Sequence, residues 1–188
     1  MIDVDRLPTL ETPRIRLREL AEGDIDALFA LFTDPQMMRY WSRTAMTERD
    51  EAVAHLAQVR AHHAGKSAFE WGIERREDAR LLGTCTLFHL DRQNMRAEIG
   101  FCLRSDFWKQ GFMSEALAAL FGFAFGTLKL RRLEADVDPN NENSLRILAR
   151  LGFRQEGLLR ERWSVGGGIQ DTAFLGLLAR EWQAERVA

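Results

Sequence analysis

Residues 10–20, LETPRIRLREL, alternate Ile15 and Leu17 with Arg14, Arg16 and Arg18, the two-residue period of a half-buried strand. The pattern then changes. Asp24 precedes Ile25, Leu28, Phe29 and Leu31 at helical spacing, and Asp34-Pro35 ends that helix. Met37–Trp41 reads as a short helical or irregular piece. A second helix is predicted from Thr47, where Thr47-Glu48-Arg49-Asp50 has capping-box spacing, to about His63, with Gly65 as its stop. Three strands follow, Ser67–Glu74, Leu81–Leu90 and Met95–Leu103. The turns at 75–80 and 91–94 are short and polar, so these strands pair antiparallel.

Ser114–Leu128 carries Ala116, Leu117, Leu120, Phe121, Ala124 and Leu128 on one helical face. Arg132–Val137 is a strand, Asp138-Pro139-Asn140-Asn141 a turn, and 142–150 a helix. Gly152 stands where the glycine after a helix belongs, with Phe153 placed to pack back on the last turn. Strands at about 154–164 and 171–178 surround Gly166-Gly167-Gly168. The order is β α α β β β α β α β β. It predicts a mixed α/β fold: one twisted, mostly antiparallel sheet of about seven strands with helices on both faces. The strands at 95–103 and 132–137 flank a helix as in a βαβ unit. The dinucleotide and P-loop glycine patterns are absent, which argues against a doubly wound fold.

Composition narrows the function. A length of 188 residues fits one domain, 1–188, and a formal net charge of −2 gives no bulk attraction to nucleic acid or anionic membranes. No run approaches the roughly 18 apolar residues of a membrane span, and the first twenty residues are too charged for a signal peptide. Cys85, Cys102 and four scattered histidines fit no metal spacing. A cytoplasmic protein, monomer or homodimer, is expected. One stretch suggests chemistry: Gly111 lies between the strand at 95–103 and the helix after it. A helix start offers unpaired N–H groups and the positive end of the helix dipole, and a glycine there lets an anion approach the backbone. A glycine that merely relieves a strand–helix turn gives the same spacing.

Four stretches taken together, AEIGFCL, DFWKQGFMSEAL, DPNNENSLRILARLGF and DTAFLGLLAREW, resemble in order the signatures of the GNAT N-acetyltransferase superfamily. With LETPRIRLREL, the likeness is closest to its ribosomal-protein alanine/serine N-terminal acetyltransferases. It covers nearly the whole chain and implies acetyl-CoA as cofactor. In the family's Q/R-x-x-G-x-G/A loop, backbone N–H groups hold the pyrophosphate. The matching run is Trp108-Lys109-Gln110-Gly111-Phe112-Met113, with Ser114 next, so only the first glycine is kept and Met113 must turn its side chain away. The resemblance also implies that Phe101, Cys102 and Leu103 pair with the pantetheine like an added strand and offer an N–H to the thioester oxygen. It implies that Asn141 contacts the pantetheine and Ser144 lies near the sulfur; Asn141 is equally an N-cap for Ser144. Many members carry a tyrosine acid where this chain has Leu148.

The base is open among Glu98, Glu134 and His89, with Glu98 preferred because it shares a strand face with Cys102, opposite Ile99 and Phe101. Met38, Tyr40, Trp41 and Trp163 are candidate acceptor walls, Trp163 reading rather as core packing, and Arg39 and Arg43 suit an acidic acceptor. An α-amine with a pKa of about 7.7–8 is partly neutral at pH 7, whereas deprotonating lysine at about 10.4 costs about 3.5 kcal/mol more. A site without a strong acid–base pair therefore favours a protein N-terminus, attacking the thioester directly in a ternary complex. A small-molecule amine (polyamine, amino acid or antibiotic) and a degenerate CoA-binding module are the alternatives.

Overall fold

Eight strands form one sheet in the computed structural model, which describes residues 6–182. They are β1 (Leu10–Glu11), β2 (Ile15–Arg18), β3 (Phe69–Arg75), β4 (Leu81–Asp91), β5 (Arg96–Leu103), β6 (Arg132–Val137), β7 (Arg154–Val165) and β8 (Gly168–Leu178). They lie in chain order except that β8 sits between β6 and β7. Every neighbouring pair is antiparallel save β5–β6. The sequence pattern gives about seven strands; the eighth arises because Pro13 interrupts the opening stretch, and β1 folds back on β2. The ends of the expected 1–188 domain, 1–5 and 183–188, lie outside the described residues.

Helices α1 (Ile25–Thr33), α2 (Pro35–Met38) and α3 (Arg49–Ala64) cover one face of the sheet, and α4 (Phe112–Phe121) and α5 (Glu142–Arg150) the other. The strand alternation assigns the faces. Phe69, Trp71 and Ile73 of β3, with Ala97 and Ile99 of β5, pack in the core that holds Leu117, Leu120 and Phe121 of α4. Leu28, Leu31 and Phe32 of α1 form a second core with Leu56 of α3 and Cys102 of β5. Full burial of each such large side chain contributes about 1.5–3 kcal/mol.

Helix boundaries differ from the sequence pattern in two places. Residues 48–51 start α3: Glu48 is its N-cap, and Glu51 rather than Asp50 accepts the N–H groups of Thr47 and Glu48 at 2.7 and 3.0 Å. A glutamate one position later has the reach that Asp50 lacks. The helix expected at Ser114–Leu128 begins two residues earlier and passes into a π-helical stretch over Gly122–Thr127. The wider turn keeps Phe123 and Ala124 buried, with Phe123 edge-on to Trp71 at 5.6 Å. Gly152 does follow α5, at φ 98°, and the Phe153 N–H donates to the Leu148 carbonyl at 3.0 Å.

Candidate active site

The sheet splits at its one parallel seam. β5 pairs with β6 only at Arg96↔Arg132, Ala97↔Leu133 and Glu98↔Glu134, while its antiparallel pairing with β4 runs on to Leu103. Beyond Glu98, then, one edge of β5 has no strand beside it. Two cavities open along this edge. The larger, about 690 Å³, is lined by Phe101, Cys102 and Leu103 of β5, by Gly111–Ser114, and by Asn141, Asn143 and Ser144 at the start of α5. The smaller, about 330 Å³, lies on the α1–α3 face and is lined by His55, Glu70, Thr84, Glu98, Asp136 and Trp163 among others. Tyr40, Trp41, Phe101, Asn141 and Ser144 line both, so the cavities meet there.

Gly111 is the N-cap of α4 with φ 84°, a left-handed conformation that glycine takes without strain. A Cβ added there would come within 3.2 Å of Arg14 Nη2. Met113 is 6% exposed and packs in the core, while also forming part of the lining of the larger cavity. Arg14 fixes the turn: its Nη1 donates to the Gln110 carbonyl at 2.9 Å and its Nε to Glu115 at 2.7 Å. At α5, Asn141 Oδ1 accepts the Ser144 N–H at 3.2 Å, the N-cap contact read from the sequence. Asp34 ties the two halves together. Its carboxylate caps α2 and also accepts the Ser105 N–H at 2.9 Å, on the loop before α4. Burial raises its pKa, but Ser105 and the Gln36 and Met37 amides outweigh that and hold it below the usual carboxylate value.

In the smaller cavity Glu98 is buried, and its Oε2 lies 2.9 Å from His89 Nδ1. Burial raises its pKa above the usual value; the His89 contact opposes this, and the nearby Asp136 and Glu134 charges add to it. Glu134 accepts from Arg96 at 2.6 Å and from Arg132 at 2.8 Å, so this rival base is held as an ion pair. Asp136 accepts from Trp163 Nε1 at 3.0 Å and from the Thr172 hydroxyl. Glu70 lies 3.3 Å from His55 Nε2. Arg43 stacks on Phe32 at 4.3 Å, with its Nε and Nη2 shielded from solvent and unpartnered.

The sequence model of the family described as Acetyltransferase (GNAT) domain matches residues 14–154. The chain belongs to the GNAT acetyltransferase family. GNAT enzymes use acetyl-CoA, and this one is an N-acetyltransferase. The uncharacterized N-acetyltransferase YoaA of Bacillus subtilis is 35% identical over 165 residues, 88% of this chain and 93% of its own. The [Ribosomal protein uS5]-alanine N-acetyltransferase of Escherichia coli is 27% identical over 134 residues, 71% of this chain and 69% of its own. The structure of Mycobacterium smegmatis RimJ in complex with CoA-disulfide superposes with a TM-score of 0.84 at 26% identity, covering 92% of this chain and 87% of that one.

Against this GNAT frame several sequence expectations need correcting. Gln110 does not line the larger cavity: its side-chain amide donates to the Asp106 carbonyl at 3.1 Å and its own carbonyl is taken by Arg14. Met38 is 9% exposed and packs in the α1–α3 core, whereas Tyr40 and Trp41, just past the end of α2, reach the cavities. Trp163, expected as core packing, is a half-buried cavity wall bonded to Asp136. Leu148 is fully buried in the core and lines neither cavity. Asp136, Glu70 and His55 were missed. Asp136 alternates with Glu134 on a strand whose other face is apolar, and that period was its only signal. His55 and Glu70 meet across two elements, which no local pattern records.

Proposed function

We propose that this GNAT N-acetyltransferase holds acetyl-CoA in the larger cavity and acetylates a protein N-terminal α-amine presented through the smaller one. The observation that carries this reading is the meeting of the two cavities at Phe101, Asn141 and Ser144, where β5 has lost its neighbouring strand. Acetyl-CoA, when bound, supplies the acetyl group as an activated thioester. The backbone N–H groups of Gly111–Ser114 would hold its pyrophosphate, and the left-handed glycine with Met113 packed in the core fits that role. The open edge of β5 at Phe101–Leu103 would hold the pantetheine by strand-like pairing, with Asn141 beside it. An N–H from that edge, aimed at the thioester oxygen, is worth about 2.7–4 kcal/mol as charge builds there.

Glu98 takes the proton from the amine. A carboxylate whose pKa is raised by burial is a better base near neutrality than an exposed one. Ser144 and Tyr40 both line the junction, and a hydroxyl of either would supply the proton that the departing sulfur needs. Cys102 is no nucleophile: burial pushes its thiol up to about 12, so it stays neutral, and the amine attacks directly.

The acceptor class rests on two supports. One is the likeness to the uS5-alanine acetyltransferase of E. coli. The other is that α5 supplies no tyrosine acid, since Leu148 is buried, which suits an amine already partly neutral at pH 7. The test is a pair of peptides, one with a free N-terminal Ala or Ser, the other N-blocked with an internal lysine. Thiol release from acetyl-CoA is followed with each. Faster turnover of the free α-amine is the expected result; preference for the blocked peptide would overturn the N-terminal reading. A small-molecule amine is the second reading, favoured by the modest 330 Å³ of the acceptor side. Turnover of such amines and of neither peptide would establish it.

A further inference from the structure

We infer that His89 relays the proton from Glu98 to solvent during acetyl transfer. The inference rests on the reading of Glu98 as the base and goes beyond it.

The proton count creates the need. An ammonium acceptor R–NH3+ leaves as the amide R–NH–CO–CH3. The C–N bond forms, the thioester C–S bond breaks, and the nitrogen gives up two protons. One ends on the departing sulfur. The other has to reach water, and Glu98, with a side chain only 11% exposed, has little direct contact with it.

His89 is built for this transfer. Phe88 pairs with Glu98 on the cleft side of the sheet, whereas Leu87 faces the opposite core. Regular alternation would send His89 to the Leu87 side. Instead the β4–β5 register shifts between Phe88 and Asp91, and His89 takes φ 49°, a left-handed conformation uncommon for a non-glycine residue. Such a bulge re-aims a side chain. Here it brings Nδ1 to 2.9 Å from Glu98 Oε2 while leaving the side chain 66% exposed. One end of the imidazole thus meets the buried carboxylate and the rest meets water, the geometry of a proton relay.

The neighbouring groups offer no equal route. From β6, Glu134 is locked between Arg96 and Arg132, and Asp136 is held by Trp163, Thr172 and Arg162. Glu70 of β3 and His62 of α3 line the hollow beside His89, and Glu70 is bonded to His55. Among the described carboxylates on this side of the seam, Glu98 alone contacts a mostly exposed histidine.

The test compares wild type with His89→Gln, His89→Ala and Glu98→Gln in dilute buffer, on whichever amine each enzyme turns over, after thermal melts establish that each variant is folded. His89→Gln can keep a hydrogen bond to Glu98 but cannot carry a proton. It is expected to lower kcat by about 10-fold, less than the roughly 10²–10⁴-fold typical of losing a base itself. Added imidazole should restore the rate of both His89 variants in a saturable way and leave Glu98→Gln unchanged. The His89 contact favours the ionised carboxylate, so its loss should also move the acidic limb of the kcat/KM profile to higher pH. Wild-type kcat in His89→Gln, or a loss that imidazole does not repair, would overturn the relay. A full rate in Glu98→Gln would overturn the base reading and the relay together, whichever acceptor class proves correct.

Discussion

Gly111 and Ser144 are the residues at which the proposed chemistry can be separated from folding. At φ 84° a valine would strain the backbone as well as crowd Arg14, so Gly111→Val confuses the two effects. Asparagine tolerates the left-handed region, and Gly111→Asn should keep most of the thermal stability while weakening acetyl-CoA binding at least about tenfold, as read by calorimetry. Unchanged affinity would remove the anion-cradle argument. Ser144→Ala should lower kcat more than it raises the Kd for CoA, because the Asn141 cap uses the Ser144 backbone N–H, which alanine retains. A loss confined to the melting temperature would make Ser144 a helix-start residue only. Both positions were legible because local rules govern them: a glycine before a helix, an asparagine three residues before a serine. Gln110 misled for the complementary reason. Its place in the motif was right, but Arg14, 96 positions earlier, binds its carbonyl.

At the scale of elements, the face covered by α1–α3 is anchored by one charge cluster. Arg18 of β2 donates to Asp24, just before α1, at 2.7 Å through each of two nitrogens, and also to Glu74 of β3. Asp24 and Glu74 are 6% and 3% exposed. Removing the arginine leaves two buried carboxylates short of a partner, so Arg18→Met should destabilise the fold by about 3–5 kcal/mol in denaturant titration, nearer the low end because Arg16 still holds Glu74. The cluster also has a pH signature. Burial raises the Asp24 pKa, but the Arg18 and Ala21 hydrogen bonds outweigh it and leave it below 3.8. Its contribution is therefore complete above about pH 3.8 and fades as pH falls through the lower folded value. Arg18→Met should lose that part of the acid-unfolding profile. The strands were legible from alternation, and so was the turn after α5. The start of α3 and the π stretch after Phe121 were not. Capping reach and the packing of Phe123 on Trp71 decide them, and those depend on neighbours distant in sequence.

Over the whole molecule, the sequence conveyed how many strands there are better than how they are ordered. The seam between β5 and β6 followed from the βαβ pattern, but nothing local says that β8 enters between β6 and β7. That placement brings Thr172 to Asp136 and closes the wall that Trp163 shares, so one wall of the smaller cavity depends on a long-range pairing. The same insertion has a consequence for synthesis. The ribosome releases β7 before the strand that must separate it from β6. Until residues 168–178 emerge, β6 is an open edge and β7 has no place in the sheet, while β1–β5 already have their neighbours. Nascent chains stalled with residue 167 just outside the tunnel should resist protease through α4, which packs on β1–β5, and be cut beyond it. Chains extended past residue 178 should become resistant throughout, and equal protection of both lengths would show that the cleft side assembles without its last strand. The cleft lined by Asp136 and Trp163 thus stays incomplete until the last strand of this sheet has been made.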